Sequence, residues 1–261
     1  MSFLLVSLAS LAILVVVHGV TFAIGRRIGR YNVVDVTWGV GFVAVAAVCA
    51  AVGSGDLVRR LLLFALVAIW GLRLAWHMVG KSRNKGEDPR YDSLLRGDTS
   101  ASNVIRRIFA VQAAAGWFIS LPLQVSAVLG PTPSALLPVL ILGVAVWLAG
   151  VIFEAIGDHQ LRQFKADPAN KGAIMDRGLW AWTRHPNYFG DACVWWGLWL
   201  VSFAGAVSLS TVLSPVLMTY FLMCGTGGKL TEQQMAGRPG FDEYRSRTPF
   251  FVPRPPKRRS I

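Results

Sequence analysis

Glu154 and Asp158 stand four residues apart, and Arg162 and Lys165 follow at helical spacing. On a helix this order puts two carboxylates and then two cations along nearly one face. Carboxylates accept hydrogen bonds from hydroxyl groups, and Arg and Lys bind phosphate. A second constellation is the run Arg184-His185-Pro186-Asn187-Tyr188-Phe189-Gly190-Asp191. Pro186 restricts His185 to an extended backbone, so a helix is expected to start at or near Asn187. Arg184 and His185 then stand just outside a helix N-terminus, a natural place for phosphate or carboxylate. Asn187 and Asp191 share one face of that helix, and Gly190 leaves room for close approach. A third group lies near the C-terminus, with Glu232, Tyr244, Arg245, Arg247, Phe250 and Phe251. This aromatic and basic tail reads equally as a membrane-surface anchor and as a closure over a bound cofactor.

Three more ionisable residues fall inside apolar runs. Charge within a membrane span is costly, so each is a functional candidate. Asp35 sits near the start of its run and reads either as an interfacial cap or as a working acid. Arg73 and His77 are four apart, and Arg73 is expected at a depth similar to that of Asp35. Their plainer readings are snorkelling to headgroups for Arg73 and an interfacial position for His77. For the stripe from Glu154 to Lys165 the plainer reading is a solvated helix face. No second His/Glu cluster accompanies the two carboxylates, so no metal is expected.

The elements that must position these residues are membrane helices. Of 261 residues, 54% are hydrophobic and only 15% charged, whereas soluble domains carry about 25% charged residues. Seven spans are expected at roughly 3–24, 33–53, 57–80, 104–127, 134–156, 188–206 and 209–225. The fold class is therefore all-α and polytopic, with the first run read as a retained helix and not a signal peptide. The net charge of +12 sits in loops between apolar runs and not in a nucleic-acid-binding patch. The first loop (Arg26, Arg27, Arg30), the third (with Lys81, Arg83, Lys85, Arg90 and Arg96), the fifth (with Arg177 and Arg184) and the tail (with Lys257, Arg258 and Arg259) are basic. The second mixes Asp56 with Arg59 and Arg60. The positive-inside rule places the N-terminus outside and the tail in the cytoplasm, in an inner or plasma membrane. Cys49, Cys193 and Cys224 show no paired spacing, so neither a disulfide framework nor a zinc site is expected.

The run from Arg184 to Asp191 resembles the signature of bacterial integral membrane proteins related to the steroid 5-alpha-reductases, the DUF1295-type family. Supporting pieces are Val34-Asp35-Val36-Thr37-Trp38-Gly39, Gly86-Glu87-Asp88-Pro89-Arg90-Tyr91, the segment from Asp158 to Lys165, and the tail from Tyr244 to Pro253. The resemblance implies a single transmembrane domain over 1–261, with a cofactor-binding half at about 150–253. It implies a reductase that uses NADPH to deliver hydride to a carbon–carbon double bond of a lipid-like substrate. By similarity Asp158, Arg162, Lys165, Arg184, His185, Asn187, Tyr188 and Asp191 would hold the cofactor, supported by Arg73, Glu154 and Glu232, with Tyr244 and Arg247 from the tail. Asp35 falls near the expected catalytic acid. The expected tyrosine position holds Trp70, which donates one hydrogen bond but cannot pass a proton, so either another donor such as Tyr31 or Tyr91 serves or the substrate is not an enone. The Arg-His-Pro-x-Tyr core is shared with isoprenylcysteine carboxyl methyltransferases, so use of S-adenosylmethionine is the alternative. A non-catalytic lipid-binding protein is a third reading. Membrane lipids are expected neighbours, and the oligomeric state is not readable.

Overall fold

The computed structural model describes residues 2–83, 86–225 and 227–256. Lys85, Lys257, Arg258 and Arg259 of the basic loops lie outside the described residues. Every element among the described residues is helical. Five helical stretches are long and apolar enough to cross a membrane: Phe3–Ile28, Val34–Val52, Leu57–Ser82, Ser134–Ala166 and Ala206–Met235. The chain is a multi-pass membrane protein. Two of the seven expected runs take other forms. The run expected at 104–127 is broken into Ala101–Val104, a π-turn at Ile105–Phe109, and helices Ala110–Ile119 and Leu121–Ser126. The run expected at 188–206 is a helix of 16 residues, Pro186–Val201.

The chain divides into two compact units. Unit 1 comprises Met1–Leu140 and Val201–Ser214, and unit 2 comprises Ile141–Leu200 and Pro215–Ile261. In unit 1, α1 (Phe3–Ile28) and α3 (Leu57–Ser82) both pack on α2 (Val34–Val52). The α2–α3 crossing is made at two glycines. A Cβ on Gly39 would lie 2.4 Å from the Gly71 carbonyl oxygen, and one on Gly71 would lie 2.7 Å from that of Gly39. Without a hydrophobic drive between helices in lipid, such close backbone approach supplies the packing.

The mixed second loop has a local structural purpose. Asp56 caps α3 by accepting from the Arg59 N–H at 2.7 Å. Arg59 is only 1% exposed. Its guanidinium donates to Ser126 Oγ at 2.8 Å, to Thr132 Oγ1 at 2.9 Å, and to the carbonyls of Ser126, Leu129 and Gly130. Arg60 donates to the Ala50 carbonyl at 2.6 Å. These cations satisfy backbone oxygens that lipid could not, so they read poorly as topology signals.

After the short helices α4 (Pro89–Leu95), α5 (Ala101–Val104), α6 (Ala110–Ile119) and α7 (Leu121–Ser126) comes α8 (Leu137–Ala166). It runs ten residues past the expected end of its span, so Asp158, Arg162 and Lys165 lie on helix and not in a loop. In unit 2 it packs against α9 (Pro186–Val201). A Cβ on Gly150 would lie 2.6 Å from the Gly190 carbonyl oxygen, one on Gly197 would lie 2.7 Å from that of Gly143, and one on Gly157 would lie 3.2 Å from the Asn187 nitrogen. As α8 numbers rise, their α9 partners fall, so the two helices run antiparallel, with glycines seven residues apart on each. Gly150→Val is expected to push α8 off α9 and to lower the melting temperature in detergent, with a cost of about 1–3 kcal/mol. Circular dichroism on heating checks it.

Candidate functional site

In unit 2 the glycine contacts bring the polar residues of α8 and α9 together. Glu154 and Asp158 are both buried on α8, and Asp191 is buried on α9. The backbone nitrogen of Glu154 lies 2.5 Å from where a Gly190 Cβ would be, so the backbones of the two helices touch beside these acids. Asn187 donates from Nδ2 to Asp158 Oδ1 at 3.2 Å. Its Oδ1 is buried with no hydrogen-bond partner among the described residues. Asp158 and Asn187, from two different helices, thus meet directly. Arg162 and Lys165, further along α8, are exposed, and Arg162 lies 3.2 Å from the His159 ring.

α9 begins at Pro186, one residue before the expected start. A proline at the first helical position needs no N–H partner and has the required φ. The His185 carbonyl accepts the first helical hydrogen bond, from Phe189 at 3.0 Å. The His185 ring stacks on Tyr188 with centroids 5.5 Å apart, meets Phe250 edge-on, and places Nε2 3.1 Å from Glu232 Oε1.

Arg184 has a different role from the one its position suggested. It donates to Glu232 through Nε at 2.6 Å and Nη2 at 3.2 Å, and through Nη1 to the carbonyls of Thr248 at 2.6 Å and Arg245 at 3.0 Å. Its backbone N–H reaches Pro249 O at 2.9 Å, and its guanidinium lies 5.5 Å from the Phe250 ring centroid. Four of the five guanidinium N–H groups are thus engaged, which leaves little for a phosphate. Arg184 fastens the tail to the start of α9. The tail is tied at other points too. Tyr244 donates to the Trp180 carbonyl at 2.7 Å, Thr183 donates to Phe251 O at 2.8 Å, and Arg247 pairs with Asp176. Burial pushes the Tyr244 phenol well above its ordinary value, so it remains a donor. Tyr244 and Arg247 are therefore parts of a strap.

Unit 1 holds a second polar group. Tyr91 of α4 donates to Asp35 Oδ1 at 2.5 Å, and Arg90 reaches Asp35 Oδ2 at 3.2 Å. Burial followed by the Asp35 charge holds the Tyr91 phenol well above its ordinary value. Asp88 caps α4 through the Arg90 N–H at 2.9 Å and also binds the Arg90 side chain. Burial works to raise the Asp88 carboxyl, but its Arg90 hydrogen bonds prevail and hold it below the ordinary range. Glu87 accepts from the backbone N–H groups of Tyr31 and of Asn32, the latter at 2.9 Å, and so ties this loop to the start of α2. Trp70 is fully buried, with its ring 5.9 Å from Phe42. Tyr31 stacks on Phe22 and packs edge-on to Phe109. Arg73 and His77 are half-buried on α3.

The family described as "Protein of unknown function (DUF1295)" matches residues 21–248. The chain belongs to the DUF1295 family. Over 117 residues it is also 26% identical to 3-oxo-5-alpha-steroid 4-dehydrogenase 1 of Macaca fascicularis, covering 44% of this chain and 41% of the relative. The proteins of that name from Mus musculus and Homo sapiens are 26% identical over the same length, with 42% of each covered. The chain thus matches about two fifths of the length of these relatives. No solved structure matches it.

For this DUF1295 member, sequence reasoning missed Arg90 as the partner of Asp35 and the contacts that tie Arg184 to the tail. A signal existed for the first. Asp88-Pro89 is an N-cap followed by an N1 proline, which starts a helix and puts Arg90 and Tyr91 in its first turn.

Proposed function

We propose that this protein is an NADPH-dependent membrane reductase that adds hydride and a proton across a carbon–carbon double bond of a lipid-like substrate. The observation that carries the reading is the buried cluster of Asp158 and Asn187 beside Glu154 and Asp191, on helices whose glycine contacts leave no room for ordinary apolar packing. Family membership and the similarity to 3-oxo-5-alpha-steroid 4-dehydrogenase 1 support it.

The residues present fit such a cofactor. The orphaned Asn187 Oδ1 is an acceptor suited to a carboxamide N–H or a ribose hydroxyl, and buried polar atoms rarely go without a partner. Asp158 and Glu154 are acceptors for further hydroxyls. Arg162 and Lys165 supply exposed positive charge for phosphates. No Gly-x-Gly-x-x-Gly run opens a strand–helix unit here, so the site is of a non-Rossmann kind. When bound, NADPH would supply the hydride. The chain itself must orient the cofactor and provide a proton. Within unit 1 the group able to do the latter is the Asp35–Tyr91 pair, whose phenol stays protonated. Trp70 then serves as a wall. The basic loops support an orientation with the cofactor residues toward the cytoplasm.

The test is to purify the protein in detergent and titrate NADPH, NADH and S-adenosylmethionine while following thermal stability. NADPH is expected to raise the melting temperature by mass action. Stabilisation by S-adenosylmethionine alone would overturn the reading, and so would a flat response to all three. Lys165→Glu is expected to weaken NADPH binding about tenfold, far more than it lowers the unliganded stability, an effect that shrinks with added salt. Isothermal titration at two ionic strengths measures it.

A further inference from the structure

In unit 1, at the end where α1 begins, lies a cleft of about 400 Å³. Its apolar walls are Phe3 of α1, Leu121 and Val125 of α7, Val128 and Leu129 just after α7, and Val207. None of the residues lining it is charged. The wall after α7 is fixed from outside the cleft. The Ala127 carbonyl accepts from the Gly55 N–H at 2.8 Å, and the Leu129 carbonyl accepts from the Asp56 N–H at 3.0 Å. The buried Arg59 guanidinium donates to the carbonyls of Ser126, Leu129 and Gly130. The N–H groups of Ala127, Val128 and Leu129 bond to carbonyls of α7 itself. Two hydroxyls, of Ser210 and Thr211, complete the lining. Both are spent as donors: Ser210 Oγ donates to Val207 O at 2.8 Å, and Thr211 Oγ1 to Ser208 O at 2.8 Å. The surface left to a ligand is apolar side chain on a rigid support.

We propose that this cleft seats one acyl chain of a bilayer phospholipid. The helix that bounds it crosses the membrane. Phe3 and Val207 on its walls remain 41% and 60% exposed, and Leu4 and Leu209 beside them are exposed too, so the mouth is apolar and opens where lipid surrounds the helix. A lining with neither charge nor free hydroxyl hydrogen offers nothing to a headgroup or to the carboxylate of a free fatty acid. What it holds is hydrocarbon, and the bilayer supplies hydrocarbon chiefly as phospholipid chains. At about 30 Å³ per water-sized group, the cleft takes on the order of a dozen methylene groups, most of one chain and not two. A lipid tail gains no hydrophobic free energy by leaving other tails, so the hold comes from van der Waals contact with a fixed concave wall. The seat is separate from the polar group of unit 1. Thr21 of α1 hydrogen-bonds Thr37 of α2, one turn of helix from Asp35. At about 1.5 Å per residue, that level is roughly 27 Å along α1 from Phe3. The proposal therefore stands whether or not the protein uses NADPH.

The probe is phosphatidylcholine with a photoreactive diazirine in the middle of one acyl chain, mixed into vesicles of palmitoyl-oleoyl-phosphatidylcholine that carry the intact protein. After illumination, adducts are mapped by peptide mass spectrometry. The comparison surface is Leu57, Val58 and Leu61, which are exposed at the same end of the unit, where α2 has ended and α3 begins. Peptides covering 121–129 and 207–211 are expected to carry about ten times the adduct found at Leu57 to Leu61, a retention of about 1.4 kcal/mol over ordinary surrounding lipid. Two variants fill the cleft from opposite walls. Val125→Trp should bring labelling of 207–211 down to the comparison level, and Ser210→Phe should do the same for 121–129, while labelling of Leu57 to Leu61 stays unchanged. Equal yields at the cleft and at Leu57 to Leu61 in wild type overturn the proposal, and this comparison holds even if a variant fails to fold. Enrichment that survives both variants also overturns it. So does cleft labelling by palmitic acid bearing the same diazirine where the phosphatidylcholine gives none, since the occupant is then a free fatty acid.

Discussion

Arg184→Leu is expected to destabilise unit 2 by about 3–5 kcal/mol, the cost of breaking a buried ion pair and leaving its carboxylate behind. The side chains of Arg184 and Glu232 are only 10% and 16% exposed, so water does little to rescue the stranded Glu232. The carbonyls of Arg245 and Thr248 lose their donor in the same step. His185 remains 3.1 Å from Glu232, but one imidazole cannot replace a bidentate guanidinium. Because Arg184 holds the tail down, its loss should also expose the segment after Tyr244. Limited proteolysis should therefore cut the variant within 241–254 before it cuts elsewhere, while wild type resists. Arg184→Lys should recover only part of the stability, since a single ammonium cannot reach Glu232 and two carbonyls in the same fork geometry. A variant that keeps the wild-type melting temperature and loses only nucleotide binding would show that Arg184 contacts the ligand and does not fasten the tail.

What could be read in the sequence follows the range over which each feature is determined. The long apolar helices and a helix start at or near Asn187 rest on neighbours within one or two turns. Face spacing grouped Glu154 with Asp158 and Asn187 with Asp191 within single helices, but the Asp158–Asn187 hydrogen bond between helices was not read. The α8–α9 contact was legible but unread, because Gly143, Gly150 and Gly157 answer Gly190 and Gly197 at a spacing of seven. The fate of Arg184 was not legible. Its partners Glu232, Arg245 and Thr248 lie 48 to 64 residues away, and a free guanidinium at a helix N-terminus looks the same in sequence as an occupied one. Arg59 hid for the same reason, with acceptors 67 to 73 residues distant. A charge in a loop counts toward topology only after its partners within the fold have been subtracted.

Tyr91→Phe carries the largest effect expected on turnover. The residue lies beside Asp35 and Arg90, and it is the phenol of this polar group. Removing the hydroxyl takes away one oxygen and leaves the ring, so packing in the cluster with Val34, Leu95 and Phe109 is kept and the melting temperature should change little. Loss of a positioned proton donor lowers turnover by about 10²–10⁴-fold. The loss should fall on kcat, with NADPH affinity intact, because the cofactor residues proposed here lie on α8 and α9. The pH profile gives a second check. Burial and then the Asp35 charge hold the Tyr91 phenol well above its ordinary value, so in wild type its deprotonation cannot set an alkaline limb below about pH 10. An alkaline limb that appears near neutrality and persists in Tyr91→Phe would have to come from another group, and would show that the proton comes from elsewhere. Trp70→Tyr, which restores a phenol on α3, offers the converse measurement. If Tyr91 is the donor, this change adds no turnover to wild type, whereas a large gain would show that Trp70 occupies the position from which the proton should come.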